Sequence, residues 1–370
     1  MTNLSTTVFG QTFKNPVLPA AGPNVGTGEK TRLAALGGAG GLLTKTVSLH
    51  PAVVPKPNMA RFRKDSMINA ELWSELTLDD WLSNEYNIAL AAAKEFGLPL
   101  IASIGYSPDE LATLGPILEE KGIHLIEFSI HHIGDESITE AAAALRKAVS
   151  IPIIAKLSPN IGHLGHTARL LEPYVDGFAC INSFGPTLSI DIETITSPMG
   201  SDDGMGWLSG PAIKPIALQA VYEVSQATDK PVIGIGGIAS GKDVIEFMMA
   251  GASLVGLCTA AILQGPYVYG TIAEQAAQWL EEHGYDDIAE IKGLFVEKMQ
   301  QKTAPDTSRT LRVMVNEDKC IACGRCEIVC QYDALTAKPK EKAFINQANC
   351  AVCGLCRTVC PFDAIELVGR

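Results

Sequence analysis

Eight of the ten cysteines in the 370-residue sequence fall between Cys320 and Cys360. They form two runs of one pattern, Cys320-Ile-Ala-Cys323-Gly-Arg-Cys326-Glu-Ile-Val-Cys330 and Cys350-Ala-Val-Cys353-Gly-Leu-Cys356-Arg-Thr-Val-Cys360, the second followed by Pro361. Both read C-x2-C-x2-C-x3-C, the thiolate spacing that holds [4Fe–4S] clusters. A zinc ribbon also pairs C-x2-C units, but it needs only four ligands and leaves half of these cysteines without a role. Disulfides would be the reading in a small secreted protein. Here the segment Met1 to Phe9 has neither a basic n-region nor an apolar h-region. No apolar run reaches the ~18 residues of a membrane span. We therefore expect a cytoplasmic protein with no membrane partner, whose clustered thiols stay reduced and bind metal.

In two-cluster bacterial ferredoxins the fourth cysteine of each run ligates the other cluster. On that pattern one cluster takes Cys320, Cys323, Cys326 and Cys360, and the other takes Cys350, Cys353, Cys356 and Cys330. The first run ends in Gln331 where the pattern has proline, a position that is not a ligand. Such clusters pass single electrons and contain no substrate site, so the chemistry must lie upstream. The polar stretch from Gln300 to Arg312 reads as a connection. The division expected is a catalytic domain over 1–300, a linker over 301–311 and a bacterial-type two-[4Fe–4S] ferredoxin domain over 312–370.

The upstream domain must position whatever chemistry it carries. Short apolar runs there alternate with longer amphipathic stretches. Candidate strands are Val17–Ala21, Leu42–Val47, Pro99–Ile104, Leu125–Ile130, Ile151–Leu157, Gly177–Asn182, Pro231–Gly236 and Leu254–Leu257. Helical patterns separate most of them, among them Asp109–Lys121, Ile138–Val149, Ile213–Thr228 and Gly241–Ala250. This alternation argues for an α/β fold with a parallel sheet. Eight units over this length suggest a (β/α)8 TIM barrel, and a doubly wound sheet is the alternative. The long gap between the second and third strands must hold an insertion over the barrel mouth.

In a TIM barrel the active site sits at the C-terminal ends of the strands. That rule selects Lys45 and Thr46, then Ser129, His131 and His132, then Lys156, then Asn182 and Ser183. Gly234-Ile-Gly236-Gly237 follows strand seven and Cys258-Thr259 follows strand eight, where this fold usually binds phosphate. Neither this turn nor Gly38-Ala-Gly40-Gly41 has the spacing of a dinucleotide fingerprint. Clusters deliver electrons singly, most substrate reductions need two, and a flavin converts between them; FMN carries one phosphate that suits the strand seven–eight site. The formal net charge of -12 and the lack of a Lys/Arg cluster place nucleic acid low among partners. The substrate expected is a small molecule.

Several motifs together resemble the class 1 dihydroorotate dehydrogenases and, more closely, the FMN domain of dihydropyrimidine dehydrogenase, over most of residues 3 to 265. They are Asn15-Pro16 with Ala20-Ala21-Gly22, Thr44-Lys45-Thr46, Ile68-Asn69-Ala70-Glu71-Leu72, Ala155-Lys156-Leu157-Ser158-Pro159-Asn160, the run from Leu208 to Leu218, and Gly236-Gly237-Ile238. The Asn69-x-Glu71 element and the C-terminal ferredoxin favour the dihydropyrimidine dehydrogenase branch. The resemblance implies that Ala20, Ala21, Gly22, Lys45, Thr46, Lys156, Ser209, Gly210, Gly236, Gly237, Cys258 and Thr259 hold FMN. Either lysine near the flavin N1–C2=O edge would stabilise negative charge there; the plainer reading of a barrel lysine is a salt bridge. Asn69, Asn182 and Ser183 would face the substrate, with Glu71 orienting them, because amide side chains suit a cyclic amide or imide.

The strand-four loop departs from the family pattern Glu-Leu-Asn-x-Ser-Cys-Pro. It reads Glu127-Phe128-Ser129-Ile130-His131-His132-Ile133-Gly134, so Ser129 replaces the substrate-reading Asn and His132 the proton-transferring Cys. An imidazole suits acid–base work near neutral pH. His132 is the first candidate for the acid and His131 the second, and the plain alternative is that they only fill the loop. Trp207 stands where the family has glycine and would narrow the space near the cofactor. The resulting expectation is an FMN and iron–sulfur oxidoreductase that reduces an activated C=C bond of a conjugated carbonyl or pyrimidine-like compound. Its electrons would come from a flavoprotein partner subunit or a ferredoxin, in a homodimer or hetero-oligomer. A flavin and iron–sulfur electron relay is the competing reading. A tRNA dihydrouridine synthase-like enzyme is the third, disfavoured by the acidic pI of about 5.1.

Overall fold

The computed structural model describes residues 2–129, 135–301, 311–338 and 340–369. They form two compact units, Met1–Met299 and Gln300–Arg370. The expected linker, 301–311, falls largely on 302–310, outside the described residues.

The first unit is built on eight parallel strands: β1 Val17–Pro19, β2 Leu42–Leu43, β3 Leu100–Ile104, β4 Leu125–Ser129, β5 Ile153–Leu157, β6 Gly177–Cys180, β7 Val232–Ile235 and β8 Leu254–Leu257. Their order is β1-β8-β7-β6-β5-β4-β3-β2. The N–H of Gly40, just before β2, donates to Val17 O at 2.8 Å and joins the two ends of the series. A Cβ on Gly40 would lie 1.8 Å from Asn15 O, so only glycine allows this approach. A helix follows each strand: α1 Gly28–Leu36, α2 Tyr86–Phe96, α3 Pro108–Glu120, α4 Asp135–Ala148, α5 Leu164–Leu171, α6 Lys214–Ser225, α7 Gly241–Met249 and α8 Val268–Glu282. This is the TIM barrel of the sequence reading. No helix among the described residues is long and apolar enough to cross a membrane.

Strand side chains alternate between two surfaces, and here both are buried. Val17, Leu42, Leu100, Ile126, Ile153, Phe178, Val232 and Val255 pack in one core with the helices. Leu18, Leu43, Ile101, Leu125, Ile154, Ala179, Ile233 and Leu254 form a second core inside the barrel. Phe13 belongs to that inner core and comes from an N-terminal hairpin, Thr6–Val8 with Gln11–Phe13. Two residues further along each strand, the same alternation brings Ala20, Lys45, Ser103, Glu127, Lys156, Ile181, Ile235 and Gly256 to the interior. The inner layer thus changes from apolar to charged toward the C-terminal mouth.

A four-stranded antiparallel sheet joins Phe184–Thr187, Gly206–Ser209, Ser66–Asn69 and Met59–Phe62 in that order. Its last two strands come from the expected insertion between β2 and β3. The other two come from the β6–α6 connection, where short strands among Gly, Pro and Asp residues read as loop. Trp207 lies opposite Asn69 and Ser209 opposite Met67, so the two insertions are zipped in register. Asp202 and Asp203 are exposed, and Asp203 Oδ1 accepts from Met205 N at 2.9 Å, as in a solvated turn.

In the second unit Leu311–Val315 pairs with Ile365–Gly369, and Leu335–Thr336 pairs with Phe344–Ile345. Each cysteine run carries a one-turn helix, Arg325–Ile328 or Leu355–Thr358. Both start on a glycine at positive φ, Gly324 at 75° and Gly354 at 83°. The repeat in sequence is therefore a repeat in backbone conformation.

Candidate functional site

Side chains at the ends of the eight strands converge on one cavity of about 410 Å³. Ala20, Ala21 and Gly22 enter it after β1, Lys45 and Thr46 after β2, Ser129 from β4 and Lys156 from β5. Asn182 and Ser183 follow β6, Gly236 and Gly237 follow β7, and Cys258 and Thr259 follow β8. The antiparallel sheet contributes Asn69, Ser209 and Trp207, with Gly210 and Glu71 beside it. Every cofactor and substrate residue named from the sequence lines this cavity. His131 and His132 lie outside the described residues.

Both lysines line the cavity and both are ion-paired, as the plainer reading of a barrel lysine expects. Lys45 Nζ is 2.5 Å from Glu71 Oε2, with the side chains 8% and 12% exposed. Asn58 Nδ2 donates to the other carboxylate oxygen of Glu71. Lys156 Nζ lies 3.7 Å from Glu127 Oε1, and Glu127 is wholly buried. Ser103 Oγ donates to the same Glu127 oxygen at 3.1 Å and is itself 2.9 Å from Thr46 Oγ1. A buried charge needs such partners, because an unpaired one costs several kcal/mol.

The amides are oriented by neighbours. Asn182 Nδ2 donates to Ser129 Oγ at 3.1 Å, and its Oδ1 accepts from Ser183 N at 2.9 Å. Asn69 Nδ2 donates to Trp207 O at 3.0 Å, and its Oδ1 accepts from Glu71 N at 3.3 Å. Thr259 Oγ1 and Ser209 Oγ are joined at 2.9 Å. Burial pushes the Cys258 thiol up to about 11, against the opposing pull of Lys156 and Lys45, so it stays protonated at neutral pH. Its Sγ donates to Asn24 Oδ1 at 3.2 Å. Cys180 faces the helix core, and burial pushes its thiol upward too, as befits a packing residue. His163 and His166 are exposed at the start of α5.

Other lining residues escaped the sequence reading. Tyr106 lies two residues past the end of β3, within reach of the strand-end rule that selected the others. Trp73, Met59 and Met67 come from the insertion. Trp73 and Tyr106 touch, with ring centroids 5.2 Å apart. Glu127 was legible as a carboxylate in phase with interior Leu125.

The cavity fits a phosphorylated flavin in three respects. Gly236 and Gly237 have φ of 130° and 80°. Added Cβ atoms there would lie 2.7 Å from Ala217 Cβ and from Lys214 Cβ, so no side chain fits and the turn is bare backbone. Two cations reach the cavity, and hydroxyls of Ser209 and Thr259 line it beside the turn. A Gly237→Ala variant is therefore expected to lose most of its bound flavin while the barrel still folds, read as flavin absorbance per chain alongside circular dichroism. Full flavin occupancy would show that the turn does not cradle the cofactor.

In the second unit Cys320, Cys323, Cys326 and Cys360 line one small cavity. Three belong to the first run and one to the second. Among the described residues no group of three or more His, Cys, Asp or Glu side chains is placed to hold a single metal ion. A cubane asks for a different arrangement, since each thiolate binds its own iron. Ala364 N donates to Cys360 Sγ and Val352 N to Cys350 Sγ, both at 3.4 Å, the kind of contact that tunes cluster potential.

The sequence matches the dihydroorotate dehydrogenase family over residues 3–99 and 131–280, and the 4Fe-4S dicluster domain over 313–367. Among similar proteins is the dihydroorotate dehydrogenase B (NAD(+)) catalytic subunit of Pyrococcus abyssi, 35% identical over 304 residues. That match covers 79% of this chain and 98% of the relative. The protein of the same name from Pyrococcus furiosus is 36% identical over 310 residues, 78% of this chain and 97% of the relative. That from Bacillus cereus is 33% identical over 308 residues, 79% and 97%. FMN is the cofactor of this family, and the dicluster domain carries the iron–sulfur clusters.

Proposed function

The chain belongs to the dihydroorotate dehydrogenase family of flavin-dependent oxidoreductases acting on CH–CH bonds, and from that premise we propose that it reduces the activated C=C bond of a small conjugated carbonyl compound, with a pyrimidine ring as the first candidate. The reading places it nearer the dihydropyrimidine dehydrogenase branch than the relatives' own name does. The observation that carries it is the set of oriented amides and hydroxyls, Asn69, Asn182, Ser129 and Ser183, lining the same cavity as two buried lysines. Amides that both donate and accept match the CO–NH edge of a cyclic amide or imide.

FMN, when bound, supplies hydride from N5 and exchanges single electrons with iron–sulfur clusters. The chain's own residues do the rest. The backbone at Gly236 and Gly237 and the hydroxyls of Ser209 and Thr259 would hold the phosphate-bearing end. Ala20, Ala21, Gly22, Thr46, Gly210 and Cys258 would shape the rest of the pocket. Lys45 and Lys156 would lie against the ring, where a fixed cation stabilises negative charge without reorganising solvent. Asn182, held between Ser129 and Ser183, would set the substrate's plane. The carbon that receives no hydride needs a proton, and His132 is assigned to donate it, with His131 second, on the sequence of the loop. Cys320, Cys323, Cys326 and Cys360 would hold one cluster, and Cys350, Cys353, Cys356 and Cys330 the other. Electrons would enter from a flavoprotein subunit or a ferredoxin, in a homodimer or hetero-oligomer.

Purified anaerobically and reduced with a viologen, the protein is expected to oxidise the dye on addition of uracil or thymine. Turnover with a cyclic enone but no pyrimidine would move the substrate class. Silence with pyrimidines and enones alike, with flavin and iron present, would sink the reductase reading and put an electron-relay subunit in its place.

A further inference from the structure

Two lysines and two glutamates cancel at the cavity: Lys45, Lys156 and Glu71 line it, and the buried Glu127 pairs with Lys156 from outside the lining. Among the described residues its cations are Lys45 and Lys156, and each already has a carboxylate. Glu71 also lines the cavity. It is fixed at both oxygens, by Lys45 on one and by Asn58 on the other, and at its backbone N–H by Asn69. It therefore cannot swing away to release Lys45 without leaving two partners unsatisfied. Glu127 pairs with Lys156 through Oε1, which also accepts from Ser103 Oγ. Beyond these pairs the lining offers amides and hydroxyls, with aromatic and thioether side chains from Trp73, Tyr106, Met59 and Met67.

A ligand carboxylate entering this cavity would lose its hydration and meet Glu71 without a cation of its own. Burying an ion in that way is costly unless it is paired. An uncharged ring bearing C=O and N–H groups meets no such penalty. We propose that Glu71 is a specificity-determining residue, which by holding Lys45 makes the cavity select uncharged cyclic amides and reject carboxylate-bearing ones. This rests on the reading of the cavity as a substrate site and names the substrate class for it. It also separates this chain from a dihydroorotate dehydrogenase in function, since orotate is a carboxylated pyrimidine.

The test is a binding titration of the oxidised, flavin-loaded full chain with uracil and with orotate, read as perturbation of the flavin absorbance. It is run at about pH 8, above the ordinary histidine range of ~6.5. Wild type should bind orotate at least roughly tenfold more weakly than Glu71→Gln does, a difference of about 1.4 kcal/mol. Tight orotate binding by wild type would overturn the proposal, and so would an absence of orotate binding in both proteins. If Glu71→Gln fails to retain flavin, wild type still decides it, because orotate binding as tight as uracil binding contradicts a charge filter. The uracil arm reports separately on the pyrimidine reading. Gained orotate affinity in Glu71→Gln with no uracil binding in wild type would keep the charge filter and discard the pyrimidine.

Discussion

Replacing Cys360 with alanine is expected to remove the cluster held by Cys320, Cys323 and Cys326, not the one held by the rest of its own run. Sequence proximity would pair Cys360 with Cys350, Cys353 and Cys356. The structure instead puts it in one cavity with the three cysteines of the first run. Each single loss should lower iron from about eight to about four per chain, the content of one [4Fe–4S] cluster. Double variants separate the alternatives by iron count alone. Cys360→Ala with Cys323→Ala strikes one cluster twice and should keep about four irons, whereas Cys360→Ala with Cys353→Ala strikes both and should keep almost none. The reverse pattern would mean that each run closes on itself. Cys330 should mirror Cys360. Backbone N–H groups, Tyr332's foremost, hold its thiol below the usual range, favouring the thiolate that binds iron.

Lys156→Met is expected to cost stability and activity together, because one atom, Nζ, serves both. Lys156 and Glu127 are 5% and 0% exposed. Without the lysine, Glu127 keeps only the Ser103 hydroxyl on one oxygen, and its other oxygen already has no hydrogen-bond partner among the described residues. Breaking a buried pair in this way costs roughly 3–5 kcal/mol. Loss of the cation proposed to stand beside the reacting ring should lower turnover by roughly a hundredfold to a thousandfold, as for other preorganised groups. Lys156→Met with Glu127→Gln should recover most of the stability, read from the urea midpoint of the flavin-loaded protein, and none of the turnover. A single Lys156→Met variant as stable as wild type would show that the pair is not the structural centre of the barrel interior.

Much of this was legible in the sequence because it rests on short-range pattern. The apolar runs fell at barrel spacing, and the residues after them could be named as the mouth. The cysteine spacing carried its own chemistry. What remained hidden depends on distance along the chain. Lys45 and Glu71 are 26 residues apart, and only the insertion returning over the mouth joins them. The sheet that completes this lid draws half its strands from beyond β6, through four-residue segments too short to show alternation. Tyr106 and Glu127 were within reach of rules already in use. Tyr106 stands just past the end of strand three, and Glu127 shares the inward phase of Leu125 on strand four. The resemblance pointed to Lys45 and Glu71 as separate contributors, but only the geometry makes them a pair with one net effect.

The central claim is that electrons stored on this chain leave through its cavity as a reduction of substrate. The most direct measurement reduces the flavin and clusters fully under anaerobic conditions, removes excess reductant, adds uracil, and follows the absorbance of both centres while the product is identified. The account predicts that flavin and clusters reoxidise together and that dihydrouracil appears in proportion to the electrons lost. Centres that stay reduced in the presence of uracil, yet reoxidise on addition of a one-electron acceptor, would contradict it.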